Sequence, residues 1–122
     1  MRLYKTKWFA RFARQEGIAD ANLREAIERA QKGLVDADLG GHVIKQRVAR
    51  RGQDRSGGYR TIIAFRAADR AIFIFGFAKN ERGNIGAAEL TTLKELAAHW
   101  LKIDASTIEQ ELKRGNLVEV NT

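Results

Sequence analysis

Residues 45 to 60 carry Lys45, Arg47, Arg50, Arg51, Arg55 and Arg60 around a glycine-rich turn, with Asp54 as the one carboxylate among them. Six positive charges less one negative leave +5 in this segment, against a formal net charge of +7 for the 122-residue chain. A positive field concentrated in this way suits a polyanion, and RNA or DNA is the natural class of partner. The two ends of the segment alternate as strands do, so Lys45 and Arg47 fall on one face of their strand. Arg60 opens the neighbouring strand, read as exposed, and Lys79 stands at the end of the next one. Four cations gathered on one concave surface of a sheet could hold a bent phosphodiester and stabilise the charge that develops when it is attacked. The loop 50–58 would add phosphate contacts through Arg50, Arg51 and Arg55. Tyr59 is of the type that stacks on a base.

Taken singly, each of these residues also fits an ordinary solvated strand face or loop. The set is more telling, because acidic residues avoid this segment and populate the helical ends of the chain. Other chemistries lack parts. With no cysteine there is no disulfide, thiolate nucleophile or thiolate metal site, and His42 and His99 are the only histidines. No metal or cofactor is expected. Gly52, Gly57 and Gly58 lack the spacing and following helix of a nucleotide-binding loop. Glu81, with Arg82 beside it, reads as a solvated or paired carboxylate. Trp8 and Trp100 read as core.

The positioning elements follow from periodicity. Leu3 to Lys5 reads as a short strand. Trp8, Phe9 and Phe12 lie on one side of a helix that begins after Thr6 and stops at Gly17. Asp20 reads as the N-cap of a second helix with Leu23, Ala26, Ile27 and Ala30 as its apolar stripe, closed by Gly33. Residues 34–41 read as a connection, and strands are expected near 42–49, 59–66 and 71–78. The run from Ile72 to Phe77 is apolar on both faces and should be the most buried strand, with Phe75 in the core. A long helix opened by Asn84 or Gly86, and a further one capped by Asp104 and ended by Gly115, complete the pattern. Val118 to Val120 has no evident place in a monomer. Helices and strands segregate along the chain, which predicts an α+β fold in a single domain, 1–122. No apolar run approaches the roughly 20 residues of a membrane helix, and the first residues lack the apolar segment of a secretory signal, so a cytoplasmic protein with no membrane partner is expected.

The run Lys45-Gln46-Arg47-Val48-Ala49, then Gly57-Gly58-Tyr59-Arg60-Thr61-Ile62-Ile63, then Phe77-Ala78-Lys79-Asn80-Glu81, resembles the HigB-like branch of the RelE toxins, the toxin components of bacterial type II toxin–antitoxin systems. With the element order, the resemblance spans residues 1 to about 102 and leaves 103–122 as a C-terminal extension. It implies a microbial RNase fold, two helices packed on a curved antiparallel sheet. It also implies a metal-independent, ribosome-dependent endoribonuclease (an mRNA interferase) that cuts messenger RNA and inhibits translation. In such toxins the 2′-hydroxyl attacks the adjacent phosphate. The partners implied are the ribosome, mRNA and a co-encoded antitoxin, often a helix-turn-helix protein.

Carried onto this chain, the resemblance makes Lys45 a base or charge stabiliser, Arg47 and Arg60 a clamp on the scissile phosphate, and Lys79 a contact to phosphate or to the leaving oxygen. Arg50, Arg51, Arg55, Tyr59 and Arg82 become RNA-binding residues. Arginine stays protonated and cannot act as an ordinary base. A lysine serves only where neighbouring positive charge lowers its pKa. Where some RelE toxins carry a tyrosine or histidine, this chain has Ile85 and Gly86, which leaves the proton donor unassigned. A non-nuclease toxin on the same fold, such as the gyrase-poisoning ParE toxins, and a plain nucleic-acid-binding protein are the alternatives.

Overall fold

The computed structural model describes residues 1–49 and 58–121. The chain runs β1 (Arg2–Thr6), α1 (Lys7–Glu16), α2 (Asp20–Gln31), β2 (Ala37–Gly40), β3 (Val43–Val48), β4 (Tyr59–Arg66), β5 (Arg70–Ala78), α3 (Ala87–Lys102), α4 (Ala105–Arg114) and β6 (Leu117–Glu119). The sheet order is β2-β3-β4-β5-β1-β6. All neighbours are antiparallel except β1 and β5, which pair parallel. The expected α+β class is observed, with one refinement: helices cover both faces of the sheet. Phe9, Leu23, Ile27, Ile63 and Phe73 pack together under α1 and α2, while Val43, Ile62, Ile72, Leu93, Ala97 and Trp100 pack under α3. Among the described residues no helix is long and apolar enough to cross a membrane.

Local chemistry explains most boundaries. The Thr6 hydroxyl accepts from the Phe9 N–H at 3.2 Å and starts α1, and Gly17, at φ 71°, ends it in the left-handed conformation that glycine adopts without a Cβ penalty. Asp20 is the first residue of α2, and the N-cap position belongs to Ala19, which supplies no side-chain bond. The Asp20 carboxylate is engaged elsewhere: it accepts from Lys5 Nζ and from the Asn121 N–H, each at 2.8 Å, and so ties α2 to β1 and to the C-terminus. Gly76 is dictated by packing, since a Cβ there would stand 2.7 Å from the Phe12 ring.

Two stretches read as irregular are strands. Residues 37–40 form β2, paired with β3. The C-terminal tail forms β6, antiparallel to β1, with Val120 fully in the core and its N–H on the Leu3 carbonyl. Neither is visible in periodicity, because four- and three-residue strands are too short to show an alternation. The register of β4 and β5 slips by one residue, Ile63 facing Phe73 but Ile62 facing Phe75, so Ile74 bulges. The bulge resets the alternation and turns Phe75 and Phe77 to the α3 side. Phe75 is only partly buried, at the floor of a surface groove, and Trp8, read as core, is 46% exposed.

Candidate functional site

On β3, Ile44, Gln46 and Val48 face α1 and α2, which leaves Lys45 and Arg47 on the opposite face. On β4, Tyr59 and Ile63 pack under α1 and α2, which turns Arg60 and Ile62 to the α3 side. The register pairs Arg47 with Arg60 and Lys45 with Ile62. Lys45, Arg47 and Arg60 therefore share one face. The next cross-strand neighbour of Arg60 is Phe77 on β5. Lys79 sits just beyond β5, exposed, its backbone N–H donating to the Gly58 carbonyl at 3.1 Å. It marks the rim of the face that the other three occupy, and neither it nor Lys45 has an ion pair among the described residues.

Arg60 departs most from its expected setting. Far from being exposed, it is 6% accessible, flanked by a second arginine and an aromatic ring. Its Nη1 is shut away from water and has no hydrogen-bond partner among the described residues. Burial first, and the charge of Arg47 second, push its guanidinium below the ordinary arginine value, while Asp36 works in the other direction. Arginine nevertheless remains protonated at physiological pH. Two like charges set directly opposite across a strand pair repel one another, and Asp36 offsets this, with its Oδ1 3.5 Å from Arg47 Nε.

Asp36 is held in place by Gln46. That side chain is fully buried on the other face of β3, where its Oε1 accepts from the Asp36 N–H at 3.1 Å and its Nε2 donates to the Ala26 and Leu34 carbonyls at 2.9 and 3.0 Å. Arg29 donates to the Arg47 carbonyl. Asp36 and Gln46 thus support the cationic pair, and neither was singled out from sequence. The available signal was a glutamine on a strand face otherwise occupied by Ile44 and Val48.

The remaining candidates divide. Tyr59 is 1% exposed, its ring edge-on to Phe12 at 5.7 Å and its hydroxyl donating to the Glu16 carbonyl, so it is core and presents no stacking surface. Arg82 is fully engaged. It bonds Glu89 through Nη1 and Nη2 at 3.1 and 2.5 Å and the Asn84 carbonyl through Nε and Nη2 at 3.0 and 2.9 Å, and it lies over the Phe77 ring. Its partner is Glu89 rather than Glu81. The Arg82 bond first, and the Gly86 N–H second, bring the Glu89 carboxyl down to about 2. Arg50, Arg51 and Arg55 lie outside the described residues. Among the described residues no cluster of histidine, cysteine, aspartate or glutamate could hold a metal ion.

Comparison with curated proteins and with solved structures returns no match to this chain. A family model does match, described as the RelE toxin of the RelE/RelB toxin–antitoxin system, over residues 1–120, so the match runs on through α4 and β6 beyond the 1–102 of the sequence resemblance. The chain belongs to the RelE toxin family.

Proposed function

We propose that this RelE-family toxin, of the HigB-like branch, is a ribosome-dependent endoribonuclease that acts on mRNA in the cytoplasm. The observation that carries the reading is Arg60, an arginine held in a low-dielectric setting with Arg47 opposite and no hydrogen-bonded carboxylate. An arriving phosphate would supply the missing partner, and desolvated charge-assisted bonds of this kind strengthen as charge grows on the phosphoryl oxygens.

In the proposed step the 2′-oxygen forms a bond to the adjacent phosphorus and the bond to the 5′-oxygen breaks, leaving a cyclic phosphate or its hydrolysed 3′-phosphate. The 2′-hydroxyl proton goes to a base, for which Lys45 is the candidate, and the departing 5′-oxygen takes up a proton. Arg47 and Arg60 hold the phosphate through the transition state, and Lys79 contacts phosphate or the leaving oxygen. Arg50, Arg51 and Arg55 extend the contact along the RNA backbone. A co-encoded antitoxin with a helix-turn-helix is the expected inhibitor.

Purified protein added to translating ribosomes should give codon-phased breaks in the message, and naked mRNA should be cut far less. Ile85 and Gly86, where some relatives carry tyrosine or histidine, favour one further reading, a non-nuclease toxin of the ParE kind. Intact message together with loss of gyrase supercoiling would transfer the assignment to it.

A further inference from the structure

A groove of about 480 Å³ opens on the α3 side of the sheet, lined chiefly by Trp8, Ile74, Phe75, Leu93, Leu96 and Trp100. A second hollow of about 360 Å³ shares Phe75 and Leu93 with it and continues along α3 to Ala88 and Glu89. Together they follow α3 from residue 88 to residue 100, about 18 Å at the helical rise. Trp8 is 46% exposed and Leu96 44% exposed, while the Trp8 ring stacks on Phe75 at 4.8 Å. Exposed large apolar side chains gathered in a concave strip mark a binding surface rather than ordinary surface scatter.

Charge decides among occupants. Lys7 is the only lysine or arginine in the lining of either hollow, and Glu89 and Glu111 lie there too, so a phosphate backbone finds no row of cations. A second copy of a chain with net charge +7 brings a like-charged surface. An acidic partner with an apolar stripe meets neither objection. The groove also leads toward the cationic face. Phe75 lies two residues from Phe77 on β5, about 7 Å along a strand, the two rings are 6.3 Å apart, and Phe77 is the direct cross-strand neighbour of Arg60.

We propose that this groove seats an acidic amphipathic segment of the cognate antitoxin, apolar side chains against Trp8, Phe75 and Leu96, with carboxylates at the α3 N-terminal end reaching Arg60 and Arg47. The segment would give the buried guanidinium its missing partner and close the proposed RNA site in one step. The inference rests on membership of a toxin–antitoxin family and on the proposed role of Arg60, but the groove itself is tested without RNA.

The test uses the whole toxin and the purified product of the adjacent antitoxin gene, with affinity measured by titration calorimetry and folding checked by circular dichroism. Leu96→Asp and Trp8→Ala alter exposed side chains. Each should weaken the complex by roughly 30-fold or more, as loss of a central apolar anchor does, and each should keep the growth arrest that follows expression of toxin alone. Raised salt should weaken the wild-type complex further, through the carboxylate contacts. Unchanged affinity in both folded variants would overturn the proposal. Three other results would do the same: a toxin dimer abolished by Leu96→Asp, which gives the groove to a second copy; normal antitoxin binding with loss of RNA binding, which gives it to RNA; and wild-type affinity indifferent to salt. A wild type that binds antitoxin through the groove but cuts no mRNA would defeat the nuclease reading alone.

Discussion

On the face covered by α1 and α2, Gln46 is completely buried and both ends of its amide are bonded, to Asp36, Ala26 and Leu34. On the opposite face of the next strand, Arg60 is almost as deeply buried and one guanidinium nitrogen has no partner among the described residues. Both are polar side chains set among apolar neighbours, yet one is completed by the fold and the other is not. Leaving a buried charge-bearing donor unpaired costs free energy that a chain of this size does not lightly carry. The contrast sharpens beside Arg82, whose guanidinium is bonded through all three nitrogens on the surface nearby. A fold able to satisfy Gln46 and Arg82 so fully holds Arg60 in a state that a bound anion would complete.

The most direct way to break this comparison is Arg60→Met. Removing an unpaired buried charge in favour of an apolar side chain of similar length should raise stability by about 1–2 kcal/mol. The same change should lower mRNA cleavage on ribosomes by about 100- to 1000-fold, the scale of one lost transition-state donor. Urea denaturation and single-turnover cleavage read the two effects separately. A destabilised Arg60→Met protein would show that the guanidinium is structural, and unchanged cleavage would remove it from the site.

Gln46→Leu should move stability the other way. It leaves the Ala26 and Leu34 carbonyls and the Asp36 N–H without their partner, and a loss of about 2–3 kcal/mol in the urea midpoint analysis is expected. Because Asp36 would no longer be fixed beside Arg47, cleavage should fall as well, by less than in Arg60→Met. Equal and opposite stability changes at two buried polar positions on adjacent strands would show that burial alone does not decide the sign. Completion of the bonds does.

How much of this was legible in the sequence depends on length of pattern. The two N-terminal helices, the three-strand meander and α3 with α4 each span enough residues for periodicity to speak, and the family resemblance rested on the meander. The strands β2 and β6 are too short for that, and their pairing with β3 and β1 is decided by tertiary contacts such as Val120 N–H on Leu3 and Asp20 on Asn121. At the site, alternation assigned Lys45 and Arg47 to one face. It could not give the depth of Arg60, because strand period fixes the side and not the cover. Tyr59 misled for the same reason, and its side is that of the α1 aromatics. Trp8 is adjacent to Phe9 in sequence but a full 100° away around the helix, enough to carry it from the core to the groove wall.

The smallest expected effect concerns the other arginine. Glu89 is surface-exposed, and its carboxyl lies at about 2 because Arg82 and the Gly86 N–H both favour the charged form. Since the folded value lies below the unfolded one, its contribution to stability is fully present above about pH 4.5 and is lost as pH falls through about 2. Carbon-detected titration of the Glu89 carboxyl should show the low midpoint directly, and Arg82→Ala should return it most of the way to the ordinary glutamate range. Arg82→Ala should leave ribosome-dependent cleavage near wild type, because the guanidinium is already occupied in closing the turn before α3. A large loss of cleavage in that variant would mean that Arg82 exchanges Glu89 for phosphate when RNA binds. The distinction between a completed and an uncompleted arginine would then describe the free protein alone.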